Sequence, residues 1–486
     1  MTARAVMVLG TTSGAGKSWL TTALCRWYAR QGLKVAPFKA QNMSNNARVV
    51  ADGEIGSAQY FQALAARAEP DVRMNPLLLK PERDTHSQVL LLGQVDEALT
   101  RLDWRGRSAR VWPAVACALD ELLAEHDVVV IEGAGSPAEI NLLDSDIVNL
   151  RVARHAHAKC LLVTDIDRGG AFAHLYGTWA LLPEADRALI HGYVLNKFRG
   201  DAALLAPGPQ LLQQRTGVPT VATLPLWRQH GLPEEDGVFD DRHTGSGEIH
   251  TTIAVVAYPR ISNLDEFQPL KNVPGVHLKW ARSAAELQGA DWIILPGSKH
   301  STGDLAWLRS QGLDRAIAAH AQRGGAVLGI CGGLQMLGEA LVDAHGIDGN
   351  APGLGLLPLV TSFEPAKTVR HTQARFGTLT GPWAALSGVP VAGYEIHHGQ
   401  TAQHPAMAAK GDLARAVLPG LGWQNGPGNV LGLYLHGLFE DAAVLQALFG
   451  HQGAVRVPTL DSVFDGLADY IEQHFAPGVL RALIEP

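Results

Sequence analysis

The chain has 486 residues, of which 47% are hydrophobic and 18% are charged, and its formal net charge is −7. This length is too great for one hydrophobic core and predicts about two to four domains of roughly 100–200 residues each. The composition is typical of a well-packed soluble protein. The negative charge argues against nucleic acid as a partner, because neutralising phosphates requires concentrated Lys and Arg.

The N-terminus and the cysteines indicate a cytoplasmic protein. The apolar stretch before Gly10 is short and leads into a glycine-rich loop, unlike a signal peptide. No window has the ~20 apolar residues that cross a bilayer, so no membrane partner is expected. Cys25, Cys117, Cys160 and Cys331 are far apart and lack CxxC spacing, which argues against disulfides and structural zinc. We expect no bound structural metal, and the oligomeric state stays open.

The first half of the chain alternates short apolar runs with helical patterns. A buried strand is predicted at residues 5–10, a helix at 18–32 and a second strand at 34–40. Further strands are predicted at DVVVIEG, KCLLVTDID and IHGYVLNKF. Strands that alternate with helices in this way predict a parallel sheet covered by helices on both faces.

A polar, acidic stretch without periodicity follows, from Pro233 to His250. It predicts a linker, which we place at residues 236–250, between an N-terminal domain at 1–235 and a C-terminal domain at 251–486. New apolar runs then begin, at TTIAVVAYP, VHLKWA, DWIILPGS, GGAVLGICGG and NVLGLYLHG. They predict a second parallel α/β domain with its own core.

A glycine-rich loop, GTTSGAGKS, follows the first predicted strand. It matches the phosphate-binding pattern GxxxxGK[ST], except that the first glycine stands one residue further from the Gly-Lys-Ser end. Glycines let backbone N–H groups point at phosphate oxygens, and the following helix presents its positive end. The lysine would reach the terminal phosphates, and the serine hydroxyl would bind Mg²⁺. The predicted ATP-binding residues of this loop are Gly10, Thr12, Gly14, Gly16, Lys17 and Ser18.

The longer spacing resembles the dethiobiotin synthetase branch of P-loop proteins, which phosphorylate a carboxylate or carbamate. Lys39, at the end of the second strand, stands where that family holds a lysine that contacts substrate or phosphate. Glu132 ends another strand before a flexible Gly-Ala-Gly and suits a Mg²⁺ ligand. Asp52 is a third candidate metal ligand, with a surface turn as the alternative interpretation. Together these residues supply the lysine, the hydroxyl and the carboxylate that binding of Mg²⁺–ATP requires.

Cys331 lies between a predicted strand and a predicted helix, in a turn with glycine on its C-terminal side. A thiol at a helix N-terminus is favoured as the nucleophilic thiolate. The backbone N–H of Gly332 would stabilise an oxyanion, and Gly297 and Ser298 would complete the hole. His436 ends another predicted strand and would act as the base, because parallel strands bring their carboxyl ends to one edge.

This combination resembles the class I glutamine amidotransferases. In most of that family a glutamate two residues after the histidine orients it, but Leu438 stands there in this chain. Glu440 and Glu395 are alternatives and neither is favoured, so we predict a Cys–His dyad. The paired histidines of GYEIHHG, residues 393–399, are interpreted as a structural or substrate-facing loop in preference to a metal site.

Longer segments give a closer resemblance that covers nearly the whole chain. They are PFKAQNMSNNA, MNPLLLKP, IEGAGSPAEINL, VTDIDRGGAFA, LNKFRGD, PRISNLDEF, GICGGLQMLG and YEIHHG. The chain resembles the cobyric acid synthase family, glutamine-hydrolysing enzymes of cobalamin biosynthesis. The segments QNMSNNA and PRISN separate it from the related cobyrinic acid a,c-diamide synthases.

The resemblance implies a reaction, its substrates and further site residues. ATP and glutamine would be used to amidate the b, d, e and g carboxylates of (adenosyl)cobyrinic acid a,c-diamide, through an acyl phosphate and released ammonia. Asn196 and Lys197 stand where this P-loop class reads adenine. A corrinoid with several carboxylates needs local cations and polar groups. Candidates for that contact are Lys80, Arg168, Gln41 and Asn42.

Alternatives remain for both the residues and the function. Lys80 and Arg168 are equally well interpreted as solvated surface charges or phosphate contacts. The chain could be a related amide synthase such as the a,c-diamide synthase, or a P-loop nucleotide switch with an inert glutaminase-like domain. Intact Cys331 and His436 count against the switch.

Overall fold

The protein is represented by a computed structural model that describes residues 4–83, 86–227, 230–233, 249–450 and 459–485. The chain forms two compact units. The first contains residues 1–44, 50–232 and 459–486, and the second contains residues 45–49 and 233–458. Most of the predicted linker, residues 236–248, lies outside the described ranges.

The elements of the first part of the chain alternate as the sequence predicts. The strands are β1 (Arg4–Gly10), β2 (Val35–Phe38), β3 (Gln41–Met43), β4 (Ala47–Val50), β5 (Gly53–Gly56), β6 (Leu77–Arg83), β7 (His86–Leu91), β8 (Gln94–Val95), β9 (Val128–Glu132), β10 (Lys159–Asp165), β11 (Ile190–Phe198) and β12 (Thr220–Pro225). The helices are α1 (Lys17–Arg30), α2 (Ser57–Ala65), α3 (Glu97–Thr100), α4 (Trp104–Glu125), α5 (Leu150–His155), α6 (Ala171–Leu181), α7 (Glu184–Arg187) and α8 (Gly208–Thr216).

The central sheet of the first unit is parallel, in the order β12-β11-β10-β1-β9-β2. Side chains alternate along β1, so Met7 and Leu9 pack into one core while Val6 and Val8 pack into another. Burial on both faces explains why these strands are continuous apolar runs. The predicted parallel sheet with two covered faces is confirmed.

The elements that follow belong to the second unit, except for the last two helices. The strands are β13 (Thr251–Val256), β14 (Ile261–Ser262), β15 (Val276–Ala281), β16 (Trp292–Leu295), β17 (Gly297–Ser298), β18 (Ala326–Ile330), β19 (Ala340–Asp343), β20 (Ala351–Pro352), β21 (Leu359–Arg375), β22 (Pro390–Gln403), β23 (Arg415–Leu418), β24 (Gly422–Gln424) and β25 (Val430–Leu433). The helices are α9 (Gln268–Lys271), α10 (Ser301–Ser310), α11 (Leu313–Gln322), α12 (Gly332–Leu337), α13 (Pro405–Ala408), α14 (Ala442–Phe449), α15 (Leu460–His474) and α16 (Val479–Ala482).

The main sheet of the second unit has the order β15-β13-β16-β18-β25-β24-β23. It is parallel from β15 to β25, and β24 and β23 add an antiparallel edge. The carboxyl ends of β18 and β25 are adjacent, and Cys331 and His436 follow these two strands. The predicted second α/β domain is confirmed, and its topology brings the two residues to one edge.

Two segments belong to a different unit from the one in which the predicted boundaries place them. Residues 459–486 belong to the first unit, because α15 packs its buried face against α1. There the Tyr28 hydroxyl donates to the Leu480 carbonyl at 2.9 Å. Residues 45–49 belong to the second unit, where Ala47 N–H donates to Asn263 Oδ1 at 3.0 Å. No helix within the described ranges combines the length and apolarity needed to cross a bilayer.

Candidate active sites

The glycine-rich loop joins the end of β1 at Gly10 to the start of α1. Gly16, directly before the helix, has a φ of 100°, which residues with a side chain rarely adopt. The ammonium group of Lys17 folds back over the loop and donates to the carbonyls of Thr12 at 3.0 Å and Gly135 at 3.2 Å. The strand, loop and helix thus have the arrangement that phosphate binding requires.

A buried carboxylate lies beside the first residues of α1. Glu132 accepts hydrogen bonds from the Ser18 hydroxyl at 2.8 Å, Lys39 Nζ at 2.9 Å and Gln62 Nε2 at 2.6 Å. Burial alone would raise the pKa of Glu132, but the Lys39 charge and these bonds hold it below its ordinary value. An ionised carboxylate next to a hydroxyl fits the oxygen ligands that Mg²⁺ prefers. Asp52 is exposed at the turn after β4, and the described chain gives it no contact with either group.

The end of β11 contacts the same loop from another side. Asn196 Nδ2 donates to the Ala15 carbonyl at 2.9 Å, and Lys197 Nζ donates to the Gly14 carbonyl at 2.8 Å. Lys197 also pairs with Asp165 at 3.0 Å. The structure therefore brings both predicted residues to the loop, where they support its backbone, and their contact with adenine stays a prediction.

Arg168 lies beside the phosphate loop. A Cβ added at Gly14 would be 3.5 Å from its guanidinium Nη2. The Arg168 side chain is 64% exposed and its Nε is 3.4 Å from Asp165 Oδ2. An exposed cation beside this loop favours the phosphate contact over the other two interpretations.

The other candidate corrinoid contacts are buried in the first unit. Lys80 has 3% of its surface exposed and forms an ion pair with Glu54. Gln41 and Asn42 lie on β3, and Asn42 Nδ2 donates to Gln59 Oε1 at 3.2 Å. Because Lys80 and Asn42 already have these buried partners, direct contact of either residue with a large substrate would require the partners to rearrange.

In the second unit, Cys331 stands in a strained turn between β18 and α12. Its φ of 50° and ψ of −105° are unusual for a residue with a side chain. A Cβ added at Gly333 would be 1.9 Å from the Leu295 carbonyl oxygen, so the turn needs glycine there. The Cys331 thiol lies 3.6 Å from the Ile396 carbonyl. The predicted strand–turn–helix geometry around the cysteine is present.

The backbone groups predicted for the oxyanion hole lie next to this turn. A Cβ added at Gly332 would be 2.8 Å from the Ser298 backbone nitrogen, and one added at Gly297 would be 2.8 Å from His436 Cε1. The Ser298 hydroxyl donates to Asp304 Oδ2 at 2.6 Å, which fixes the loop. Burial raises the pKa of Asp304 to about 7. The structure thus brings all three predicted backbone positions to the Cys331–His436 pair.

His436 is almost fully buried and lies between an acid and the thiol. Its side chain hydrogen-bonds with Cys331, and its Nδ1 is 3.1 Å from Glu266 Oε1. The other Glu266 oxygen accepts from the Gly437 N–H at 3.0 Å. Burial opposes protonation of the imidazole, but the charges of Glu266 and Cys331 outweigh it and raise the pKa of His436 to about 10. The imidazole therefore holds its proton at neutral pH, beside the thiol.

Comparison with known proteins identifies the family of the chain and of its two domains. Residues 6–231 match the family described as the CobQ/CobB/MinD/ParA nucleotide binding domain, and residues 252–444 match the CobB/CobQ-like glutamine amidotransferase domain. The cobyric acid synthase of Variovorax paradoxus is 79% identical over 485 residues, with 100% of each chain covered. That of Polaromonas naphthalenivorans is 77% identical, again with 100% of each covered. The chain belongs to the cobyric acid synthase family.

Sequence reasoning missed the third member of this cobyric acid synthase glutaminase site. The two alternatives from the sequence have other partners, because Glu440 pairs with Arg48 and Glu395 pairs with Arg370. Glu266 is the acid that contacts the His436 imidazole. It lies in the segment PRISNLDEF, which in the sequence indicated only the family. The one signal for a further acid was Leu438, which stands where most class I amidotransferases have the glutamate that orients the histidine.

The paired histidines lie on a strand, and the prediction of a loop at residues 393–399 was wrong. They are part of β22, where His397 pairs with Thr368 of β21 and His398 lies at an irregularity in that pairing. His397 Nε2 is 3.2 Å from Glu395, and its ring stacks on Tyr434 at 3.9 Å. The His398 ring contacts the Glu364 carbonyl at 3.0 Å. Among the described residues no group of His, Cys, Asp and Glu could hold a metal ion by itself.

Proposed function

We propose that this chain converts (adenosyl)cobyrinic acid a,c-diamide into cobyric acid by amidating the b, d, e and g carboxylates, using ATP and glutamine. The observation that carries the proposal is the Cys331–His436–Glu266 arrangement in a chain that also holds a phosphate loop. The names of the relatives supply the substrate class. We place the reaction in the cytoplasm, in keeping with four free cysteines.

In the first unit, a carboxylate of the corrinoid would be activated. A carboxylate is a poor electrophile, so its oxygen would attack the γ-phosphorus of ATP, with ADP leaving and an acyl phosphate forming. Lys17 and Lys39 would balance the charge that develops on the phosphate oxygens. Mg²⁺, held by Ser18 and Glu132, would neutralise charge on the β- and γ-phosphates when bound. Asp52 stays a predicted ligand.

In the second unit, glutamine would supply ammonia. The Cys331 thiolate would attack the side-chain amide carbon, and the backbone N–H groups of Gly332 and Ser298 would face the oxyanion. His436 would give its proton to the departing nitrogen, leaving a thioester that water hydrolyses to glutamate. Glu266 would hold the imidazole with Nδ1 toward itself, which leaves Nε2 for the thiol. The ammonia would then displace phosphate from the acyl phosphate.

The test is a stoichiometry experiment on the full chain. Cobyrinic acid a,c-diamide, ATP, Mg²⁺ and glutamine are supplied, and ADP, glutamate and the corrinoid products are measured together. We expect one ADP and one glutamate for each amide formed. Amidation of cobyrinic acid itself would favour the a,c-diamide synthase reaction. ATP turnover that never yields an amide would favour the nucleotide switch.

A further inference from the structure

A partly buried ion cluster lies next to His436 in the second unit. Its cation is Arg48, whose side chain is only 2% exposed. Arg48 Nη1 donates to Glu440 Oε2 at 3.0 Å, and Nη2 pairs with both Asp265 and Glu440. Asp265 is 1% exposed, whereas the Glu440 side chain is 25% exposed. Loss of the guanidinium would therefore leave Asp265 buried without a counter-charge and Glu440 without its partner at the edge of the cluster.

The cluster reaches His436 through an aromatic ring. The Arg48 guanidinium carbon lies 5.1 Å from the centroid of the Tyr394 ring. That ring stacks on the His436 imidazole with centroids 5.3 Å apart and an interplanar angle of 19°. The backbones of Tyr394 and His436 exchange hydrogen bonds of 3.2 and 2.9 Å. The Tyr394 ring therefore lies in contact with both the guanidinium and the imidazole.

The same segment also holds the turn that carries Glu266. Ala47 N–H donates to Asn263 Oδ1 at 3.0 Å, and Leu264 N–H donates to Asn46 Oδ1 at 3.1 Å. Asp265, the partner of Arg48, directly precedes Glu266 in this turn. The position of the Glu266 carboxylate therefore depends on a segment more than 200 residues earlier in the chain.

We propose that Arg48 is a positioning residue of the glutaminase site. It balances Asp265 and Glu440, so that Glu266 keeps its contact with His436 and Tyr394 keeps the imidazole plane fixed. The inference rests on the glutaminase activity proposed above. Arg48 touches none of the reacting groups, and its effect is therefore expected in turnover more than in glutamine binding.

The pH dependence gives a readout that a purely structural role would not move. The described groups that face the imidazole and its neighbours are Cys331, Glu266, Tyr394, Arg48, Asp265, Glu440, Tyr258 and Tyr434. Loss of the only arginine in this set makes the surroundings more negative. That change favours the imidazolium and opposes the thiolate, so both limbs of the pH profile should move to higher pH.

The experiment compares Arg48→Met and Arg48→Lys with Arg370→Met in the full chain, measuring glutamate release against pH. Arg370 also pairs with a glutamate in this unit, but it is 61% exposed and lies outside the cluster. For Arg48→Met we expect a kcat lower by roughly 10- to 100-fold, a near-normal KM for glutamine and an alkaline shift of the profile. Arg48→Lys should recover part of the rate, and Arg370→Met should behave as the parent chain.

A near-parent KM for glutamine checks that the second unit of each variant is folded. Amidation from external ammonia checks the first unit and should stay within about twofold of the parent. The inference is overturned if Arg48→Met hydrolyses glutamine with the parent kcat and pH profile, or loses both activities equally. If Arg48→Met fails to fold, Arg48→Lys decides, because a parent-like rate and profile there also overturns it. No glutamate release by the parent chain would instead refute the proposed function and the inference with it.

Discussion

Glu266 and His436 lie 170 residues apart in the chain, yet a carboxylate oxygen of the first is 3.1 Å from Nδ1 of the second. The other carboxylate oxygen binds the backbone N–H of Gly437. The acid thus fixes both the imidazole and the peptide that follows it. In Ser–His–Asp enzymes an acid in this position selects the tautomer of the histidine that can accept the nucleophile's proton.

Glu266→Gln should therefore lower kcat for glutamine hydrolysis by roughly 10²- to 10⁴-fold, because an amide can favour the wrong tautomer. Glutamate release measured at saturating glutamine tests this. Glu395→Gln is the matched comparison, since Glu395 is also buried but binds Arg370 and His397. Equal losses in the two variants would contradict the assignment of Glu266 as the orienting acid.

The stability of the second unit should depend on pH through His436. Its folded pKa is about 10, whereas the ordinary value is 6.5. The folded state binds this proton more tightly, so its contribution to the free energy of unfolding is complete below about pH 6.5 and is lost toward pH 10. Urea unfolding across this window should show a decline that is shallower in Glu266→Gln. An unchanged slope in the variant would show that Glu266 does not raise this pKa.

Cys331→Ala should abolish glutamine hydrolysis and leave amidation from external ammonia nearly intact, because the two chemistries are assigned to separate units. Amide formation from glutamine and from ammonium salt is measured side by side. Cys117→Ala serves as the control, since that thiol is exposed on α4. If ammonia fails to support Cys331→Ala, then the cysteine has a structural role or the units do not act separately.

Lys17→Ala should remove amide synthesis with either nitrogen source, because no acyl phosphate can form. A phosphate-clamping cation supplies several kcal/mol of transition-state stabilisation, so we expect ADP release to fall by about 10²- to 10⁴-fold. The control is Lys34→Ala, outside the loop and just before β2. Near-normal ADP release by Lys17→Ala would show that ATP binds elsewhere.

Arg168→Ala is expected to raise the KM for ATP by roughly 5- to 30-fold, because the variant loses one charge-assisted hydrogen bond to a phosphate. The sequence led us to expect an effect on the corrinoid KM, but the guanidinium lies beside Gly14 of the phosphate loop. Arg199→Ala is the control, because this arginine is similarly exposed and pairs with Asp167. A larger change in the corrinoid KM than in the ATP KM would restore the earlier expectation.

The parts of these sites that could be predicted from sequence are local ones. A strand, a glycine turn and a helix within about fifteen residues specify Lys17 and Cys331, because neighbouring φ and ψ angles build the geometry. Glu266 and Arg48 could not be found in this way, since their roles come from contacts across 170 and 217 residues. The loop predicted around His397 failed because pairing between β21 and β22 overrides the turn tendency of its glycines.

The packing of α15 on α1 has a consequence for the order in which the protein folds during synthesis. The buried side of α1, with Leu24 and Tyr28, shares a core with residues from Val463 to Ile471. Between Leu232 and Thr459 the ribosome must add residues 233–458, nearly all of the second unit, which takes roughly 10–45 s at 5–20 residues per second. The nucleotide-binding unit, although made first, is therefore completed last. Shortening the chain at its C-terminus should damage ATP binding before it damages the glutaminase.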